Sequence, residues 1–157
     1  MELEVIAAEL SHKPLLRNLL ELYLHDFSAF DDIDVDEHGL YGYRYLDNYW
    51  TDADRYPLLF RVDGKWAGFA LVRAGAPHDM AEFFVMRKYR RSGVGTALAR
   101  DVFARFPGEW QVRQMTSNPA ATSFWIQAIP VAFEQEMLDH GPVQRFTILG
   151  EGLAVQL

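Results

Sequence analysis

The fold turns on Met80-Ala81-Glu82-Phe83-Phe84-Val85-Met86, then Arg87-Lys88-Tyr89-Arg90-Arg91-Ser92-Gly93-Val94-Gly95, then Thr96-Ala97-Leu98-Ala99-Arg100. The first part is an apolar run of strand length. In the last part Val94, Leu98 and the later Val102 recur three or four apart, the spacing of a helix face. A short basic segment closing on two glycines joins them. A strand that enters a helix through such a turn makes an anion site. Free backbone N–H groups gather at the helix start, glycine lets a ligand approach, and the helix dipole favours negative charge.

The rest of the chain narrows the occupant. At 157 residues the sequence predicts one domain, residues 1–157, large enough to bury a core. It has no cysteine, which excludes disulfides, thiolate metal sites and a cysteine nucleophile, and fits a reducing, cytoplasmic setting. The formal charge is −7, which argues against nucleic acid as a partner. The one dense basic cluster is Arg87, Lys88, Arg90 and Arg91, a patch sized for a small polyanion. Met1-Glu2-Leu3-Glu4 lacks the positive start of a signal peptide, and Leu15 to Leu24 is too short and too polar to span a membrane.

In chain order, Leu3 to Ala8 reads as a strand. Ser11 as N-cap and Pro14 in the first turn start a helix expected over 13–30, striped by Leu16, Leu19, Leu20, Tyr23 and Phe27. Residues 31–37 hold five acids. They read either as a solvated connector or as an acidic rim for a cationic ligand. Tyr41, Tyr43, Tyr45, Tyr49 and Trp50 either cap the core or line a pocket, with Tyr45 and Tyr49 spaced as on a short helix.

Asp63-Gly64 between apolar runs marks a hairpin, 57–62 against 65–73, and Gly68 inside its second strand signals a bulge or a close approach. After the central strand and helix, residues 109–115 alternate as a strand. Asn118-Pro119 opens another helix, which stops at Ile129-Pro130, and 131–138 and 143–149 read as two last strands. The predicted class is α/β with a mixed sheet, in the order β-α-(α)-β-β-β-α-β-α-β-β.

Two stretches then resemble a known family. Arg90-Arg91-Ser92-Gly93-Val94-Gly95 is similar to the Arg/Gln-x-x-Gly-x-Gly/Ala loop of the GNAT superfamily of acyl-CoA-dependent N-acetyltransferases. Asn118-Pro119-Ala120-Ala121-Thr122-Ser123-Phe124-Trp125, beginning 28 residues after Arg90, resembles that family's Asn-x-x-Ala-x-x-Phe-Tyr helix start. The resemblance implies a GNAT-like fold: an N-terminal strand and helices, an antiparallel meander, the central strand–loop–helix, then β-α-β-β. It implies acetyl-CoA as co-substrate, with no metal. The pyrophosphate would lie on the backbone N–H groups of Arg91, Ser92, Gly93, Val94, Gly95 and Thr96, with Arg90, Arg91 or Lys88 as countercharge. The backbone of Phe84, Val85 and Met86 would carry the pantetheine arm, with the Val85 N–H on the thioester carbonyl and Asn118 nearby.

Glu82, a carboxylate in an apolar strand on the same face as Phe84, is the candidate base, the alternative being an ion-paired sheet-edge residue; His78 and Asp79 are backups. Trp125 occupies the place where the family often carries an acidic Tyr, and an indole cannot supply that proton. Tyr89, Tyr45 or a water would then serve, or no acid at all. The expected activity is acetyl transfer to a primary amine of a small-molecule or peptide acceptor, with residues 31–37 and 41–50 as its wall and a homodimer as one admissible assembly. A non-catalytic acyl-CoA-binding or regulatory protein on the same fold is the alternative. A nucleotide-binding protein fits less well, because the loop lacks a Gly-Lys-Ser/Thr ending and a third dinucleotide-type glycine.

Overall fold

A computed structural model describes residues 1–150. Seven strands form one sheet in the order β1-β2-β3-β4-β5-β7-β6. They are β1 (Leu3–Ala7), β2 (Arg55–Val62), β3 (Lys65–Arg73), β4 (His78–Val85), β5 (Gly108–Arg113), β6 (Glu134–Leu138) and β7 (Gly141–Ile148). The helices are α1 (Lys13–Phe27), α2 (Asn48–Thr51), α3 (Val94–Arg105) and α4 (Pro119–Ala128). Every neighbouring pair is antiparallel except β4 and β5. The expected mixed α/β class and element order are therefore observed.

Period-two alternation divides the sheet's side chains between two layers. Leu59, Phe69, Leu71 and Phe84 pack with Leu16, Leu19 and Leu20 of α1 and Tyr49 of α2. Phe60, Ala70, Val72 and Val85 pack on the other face with Leu98, Val102 and Phe103 of α3 and Trp125 of α4. No helix among the described residues is long and apolar enough to cross a membrane.

Several boundaries differ from expectation. Ser11 lies within a 3₁₀ turn, Leu10–His12, that precedes α1; there the Glu9 N–H donates to His12 Nδ1 at 3.0 Å. Helix α1 ends at Phe27 rather than Phe30, because the Ser28 hydroxyl donates to the His25 carbonyl at 2.6 Å and the chain leaves through turns. Of the aromatic 41–50 segment only Tyr49 and Trp50 fall in the single turn of α2, and Tyr45 lies in the turn before it rather than on the same helix.

Two irregularities shape β4. Opposite Phe60 and Arg61, the β3 partners skip Ala67, and Gly68 lies so close to β4 that a Cβ there would sit 1.9 Å from the Phe84 carbonyl oxygen. The glycine thus serves both the bulge and the close approach. In β4 itself Leu71 faces Glu82 while Val72 faces Met80, so Ala81 is the extra residue. That bulge reverses the facing of residues before it. Met80 joins the α3–α4 core, whereas Phe84 remains on the α1 side and the Glu82 carboxyl meets Tyr23 of α1.

Candidate active site

Strands β4 and β5 pair at only two positions, His78 with Trp110 and Asp79 with Gln111. Beyond that point they diverge, and the gap opens two adjoining cavities of about 400 and 660 Å³. Tyr23, Phe27, Phe83, Asn118, Ala121 and Trp125 line both, so they are two lobes of one cleft.

The larger lobe runs along the basic loop, past Arg90, Arg91, Gly93, Gly95 and Thr96. Gly93 is the residue before α3 and has φ +79°, with open space where a Cβ would stand. Its role is the left-handed turn. Gly95 answers to packing instead: a Cβ there would lie 3.1 Å from Phe124 Cε1 on α4. The backbone N–H groups from residue 91 to residue 96 have no protein acceptor among the described residues; the next one, on Ala97, donates to the Gly93 carbonyl at 3.1 Å. Free N–H groups at the start of a twelve-residue helix fit a phosphate.

The countercharge is more specific than the sequence suggested. Asp26 on α1 holds Arg90 Nη2 at 2.6 Å and Arg87 Nη2 at 2.7 Å, and Arg90 Nε donates to the Val85 carbonyl at 2.6 Å. Burial works against the Asp26 carboxylate, yet the bonds from Arg90 and Arg87 outweigh it and hold its pKa below the usual range. Lys88 lies over the Tyr89 ring. Arg91 is the cation of this group that lines the lobe with no acidic partner among the described residues.

Of the backbone N–H groups of Phe84, Val85 and Met86, that of Val85 faces away from β3. The Met86 N–H donates to the Ala67 carbonyl at 2.8 Å. In an antiparallel ladder alternate residues bond to the same side, so Phe84 also turns its backbone to β3 and Val85 turns its N–H away, towards the open cleft. Phe84 and Val85 line the larger lobe, and Met86 packs on the α1 side. Asn118 Oδ1 accepts the Ala121 N–H at 3.1 Å as the α4 N-cap, and its residue lines both lobes.

The smaller lobe holds Glu82. Tyr23 on α1 donates its hydroxyl to Glu82 Oε2. Burial, the largest influence, and the nearby Asp79 raise the Glu82 pKa to about 7, although Tyr23, Arg113 and Tyr43 favour the charged form. The phenols of Tyr23 and Tyr43 are themselves pushed upward, first by burial and then by the Glu82 charge, so both remain donors at neutral pH. Sequence reasoning missed Tyr23. It lies on the α1 stripe like any core residue, and only its hydroxyl distinguishes it.

The other candidates separate. Trp125 is buried, 6% exposed, its ring at edge-on or tilted angles to Phe83, Phe103 and Phe124 with centroids 5.0, 5.9 and 4.9 Å away. It forms the wall between the lobes. His78 is fixed at the far end of β4, where Nδ1 accepts the Gly75 N–H at 2.9 Å and Nε2 lies 2.9 Å from the Pro107 carbonyl. Asp79 is buried and accepts Arg113 Nη2 at 2.7 Å. Tyr45 and Tyr89 line neither lobe, and neither does any residue of 31–37 or 41–50. The smaller lobe is lined instead by Met115 after β5 and by Leu138, His140 and Pro142 around the β6–β7 turn, while Tyr43 reaches it through its effect on Glu82. Two backbone bonds fix that turn to the end of β5, Gln114 N–H to the Pro142 carbonyl at 3.1 Å and Thr116 N–H to the His140 carbonyl at 3.0 Å.

The chain belongs to the acetyltransferase (GNAT) family, whose model matches residues 16–127. That membership makes it an enzyme of the N-acetyltransferase type. No curated relative matches it by sequence. Among solved structures, an acetyltransferase from Thermus thermophilus superposes with a TM-score of 0.70 at 15% identity, covering 92% of this chain and 95% of that one. Aminoglycoside acetyltransferase AAC(6')-Ib, in complex with coenzyme A and kanamycin, gives 0.69 at 14% identity, covering 93% and 95%. The ribosomal-protein-S18-alanine N-acetyltransferase from Escherichia coli gives 0.62 at 15% identity, covering 97% and 99%. At these identities the likeness is one of fold.

Proposed function

We propose that the protein transfers an acetyl group from acetyl-CoA to a primary amine by direct attack within a ternary complex. The observation that carries this reading is the placement of Glu82. A buried carboxyl with a pKa of about 7 stands in the same cleft as the unpartnered N–H groups of residues 91 to 96. Two of the structural relatives act on amines by their names, and one holds coenzyme A, which supports the assignment of the larger lobe.

The pyrophosphate would rest on the N–H groups of Arg91 to Thr96, with Arg91 as countercharge. The pantetheine arm would run past Val85 and Asn118. The Val85 N–H would donate to the thioester carbonyl, where negative charge develops as the carbonyl carbon becomes tetrahedral. Glu82 takes a proton from the acceptor ammonium, and the neutral nitrogen attacks the acetyl carbon. The carbon–sulfur bond breaks, the nitrogen gives up its second proton, and the thiolate takes one up through solvent. A base with a pKa near the working pH suits this transfer.

Calorimetry with acetyl-CoA, ATP and NAD, joined to a thiol-release assay over an amine panel, tests the reading. Binding of acetyl-CoA alone and amine-dependent thiol release are expected. No affinity for acetyl-CoA would sink it, and binding without thiol release on any amine would favour a non-catalytic acyl-CoA-binding protein.

A further inference from the structure

The smaller lobe contains a second fixed charge that the reaction above does not use. Arg113 ends β5 and lines this lobe with Glu82. One of its N–H groups, on Nη2, donates to buried Asp79 at 2.7 Å. A guanidinium has five such donors in a rigid fork. The others have no acceptor among the described residues, and the Arg113 side chain is 58% exposed while its partner Asp79 is buried. Asp79 thus aims the guanidinium without consuming it.

Arg113 and Glu82 form no ion pair with each other, although they line one cavity from opposite strands. The same lobe is lined by apolar residues, among them Met115, Leu138 and Pro142. At about 400 Å³ the lobe is of small-molecule size. An anion facing Arg113 and an ammonium facing Glu82 describe two charged groups of one ligand, and the apolar walls describe a side chain beside them.

Resting on the acetyltransferase reading, we infer that the acceptor is a small amino acid with an apolar side chain, its carboxylate on Arg113 and its amine on Glu82. A carboxylate meeting a guanidinium fork accepts two parallel charge-assisted bonds, which fixes its orientation as well as adding affinity. The acceptor is then selected by its anion, not by the acidic 31–37 segment, none of which lines the lobe.

The test compares thiol release from acetyl-CoA with L-leucine and L-methionine against their methyl esters and amides, in the wild type, Arg113→Gln and Arg113→Lys. In the wild type the free acids are expected to exceed the esters and amides by at least about 10-fold in kcat/KM, the usual weight of a charged hydrogen-bonded pair. Arg113→Gln should collapse that ratio towards one. Arg113→Lys keeps a cation beside Asp79 and should restore folding while recovering only part of the ratio. Esters or amides acetylated as well as the acids would overturn the inference and leave the acetyltransferase reading intact. Failure to bind acetyl-CoA at all would overturn both.

Discussion

The Tyr23 hydroxyl donates to the carboxylate of Glu82, joining α1 to β4 across 59 positions of sequence. The bond favours the charged carboxylate and so opposes the upward pull of burial on its pKa. Tyr23→Phe removes the donor and leaves the ring, which packs edge-on against Phe69 and Phe84. The acidic limb of the kcat/KM profile should move up by roughly one pH unit, with a stability loss of about 1 kcal/mol. An unmoved limb would show that Glu82 is not the group titrating in catalysis.

Glu82 itself makes opposite contributions to stability and to activity as pH rises. Its folded-state pKa of about 7 exceeds the ordinary 4.5, so the folded chain holds the proton more tightly than the unfolded one. That contribution is complete below the ordinary value and is lost as pH rises through about 7. Glu82→Gln cannot ionise. In urea titrations it should gain on the wild type across this window, by up to roughly 3 kcal/mol. Activity should fall about 10²- to 10⁴-fold in the same variant. Equal stability profiles for the two proteins would refute the buried-carboxyl account.

Gly93 and Gly95 should respond differently to alanine. At Gly93 the obstacle is the left-handed backbone, worth about 1–2 kcal/mol for a residue with a Cβ, and the surroundings are open. Gly93→Ala should therefore lose that much stability and weaken acetyl-CoA binding through the altered N–H directions. At Gly95 the backbone is ordinary and the obstacle is Phe124, 3.1 Å away, so Gly95→Ala combined with Phe124→Leu should recover what the single change loses. Thermal denaturation and calorimetry check both, and failure of the double variant to recover would refute the packing role.

Trp125 is read as a wall and not as a proton donor. Trp125→Phe keeps an aromatic ring among Phe83, Phe103 and Phe124 and removes the indole N–H. It should hold kcat within about threefold, well short of the 10²-fold or more that losing a general acid brings. Trp125→Ala should instead lose roughly 3–5 kcal/mol of stability as a core truncation. A large drop in kcat for Trp125→Phe, with folding unchanged, would overturn this view.

Local patterns carried much of the fold. Asp63-Gly64 marked the β2–β3 hairpin, Asn118-Pro119 marked the start of α4, and Gly93 marked the entry to α3 because only a residue without a Cβ turns there freely. These features depend on neighbours a few positions apart, and so did Glu82 as the one carboxylate in the apolar run of β4. Longer-range facts had no such signature. The Ala81 bulge, the departure of β5 from β4 after two paired positions, the Asp26 clamp on Arg90 and Arg87, and the meeting of Arg113 with Asp79 all join separate elements. The acidic and aromatic segments left two readings open for the same reason. Composition shows that a residue is charged or amphipathic, but the direction it faces depends on what packs beneath it. The sequence by itself determined the order of elements and the glycine turn into α3, because backbone conformation and hydrophobic period are local. Only the tertiary structure decided which charges are spent on one another and which remain for a ligand, because pairing depends on distance in space.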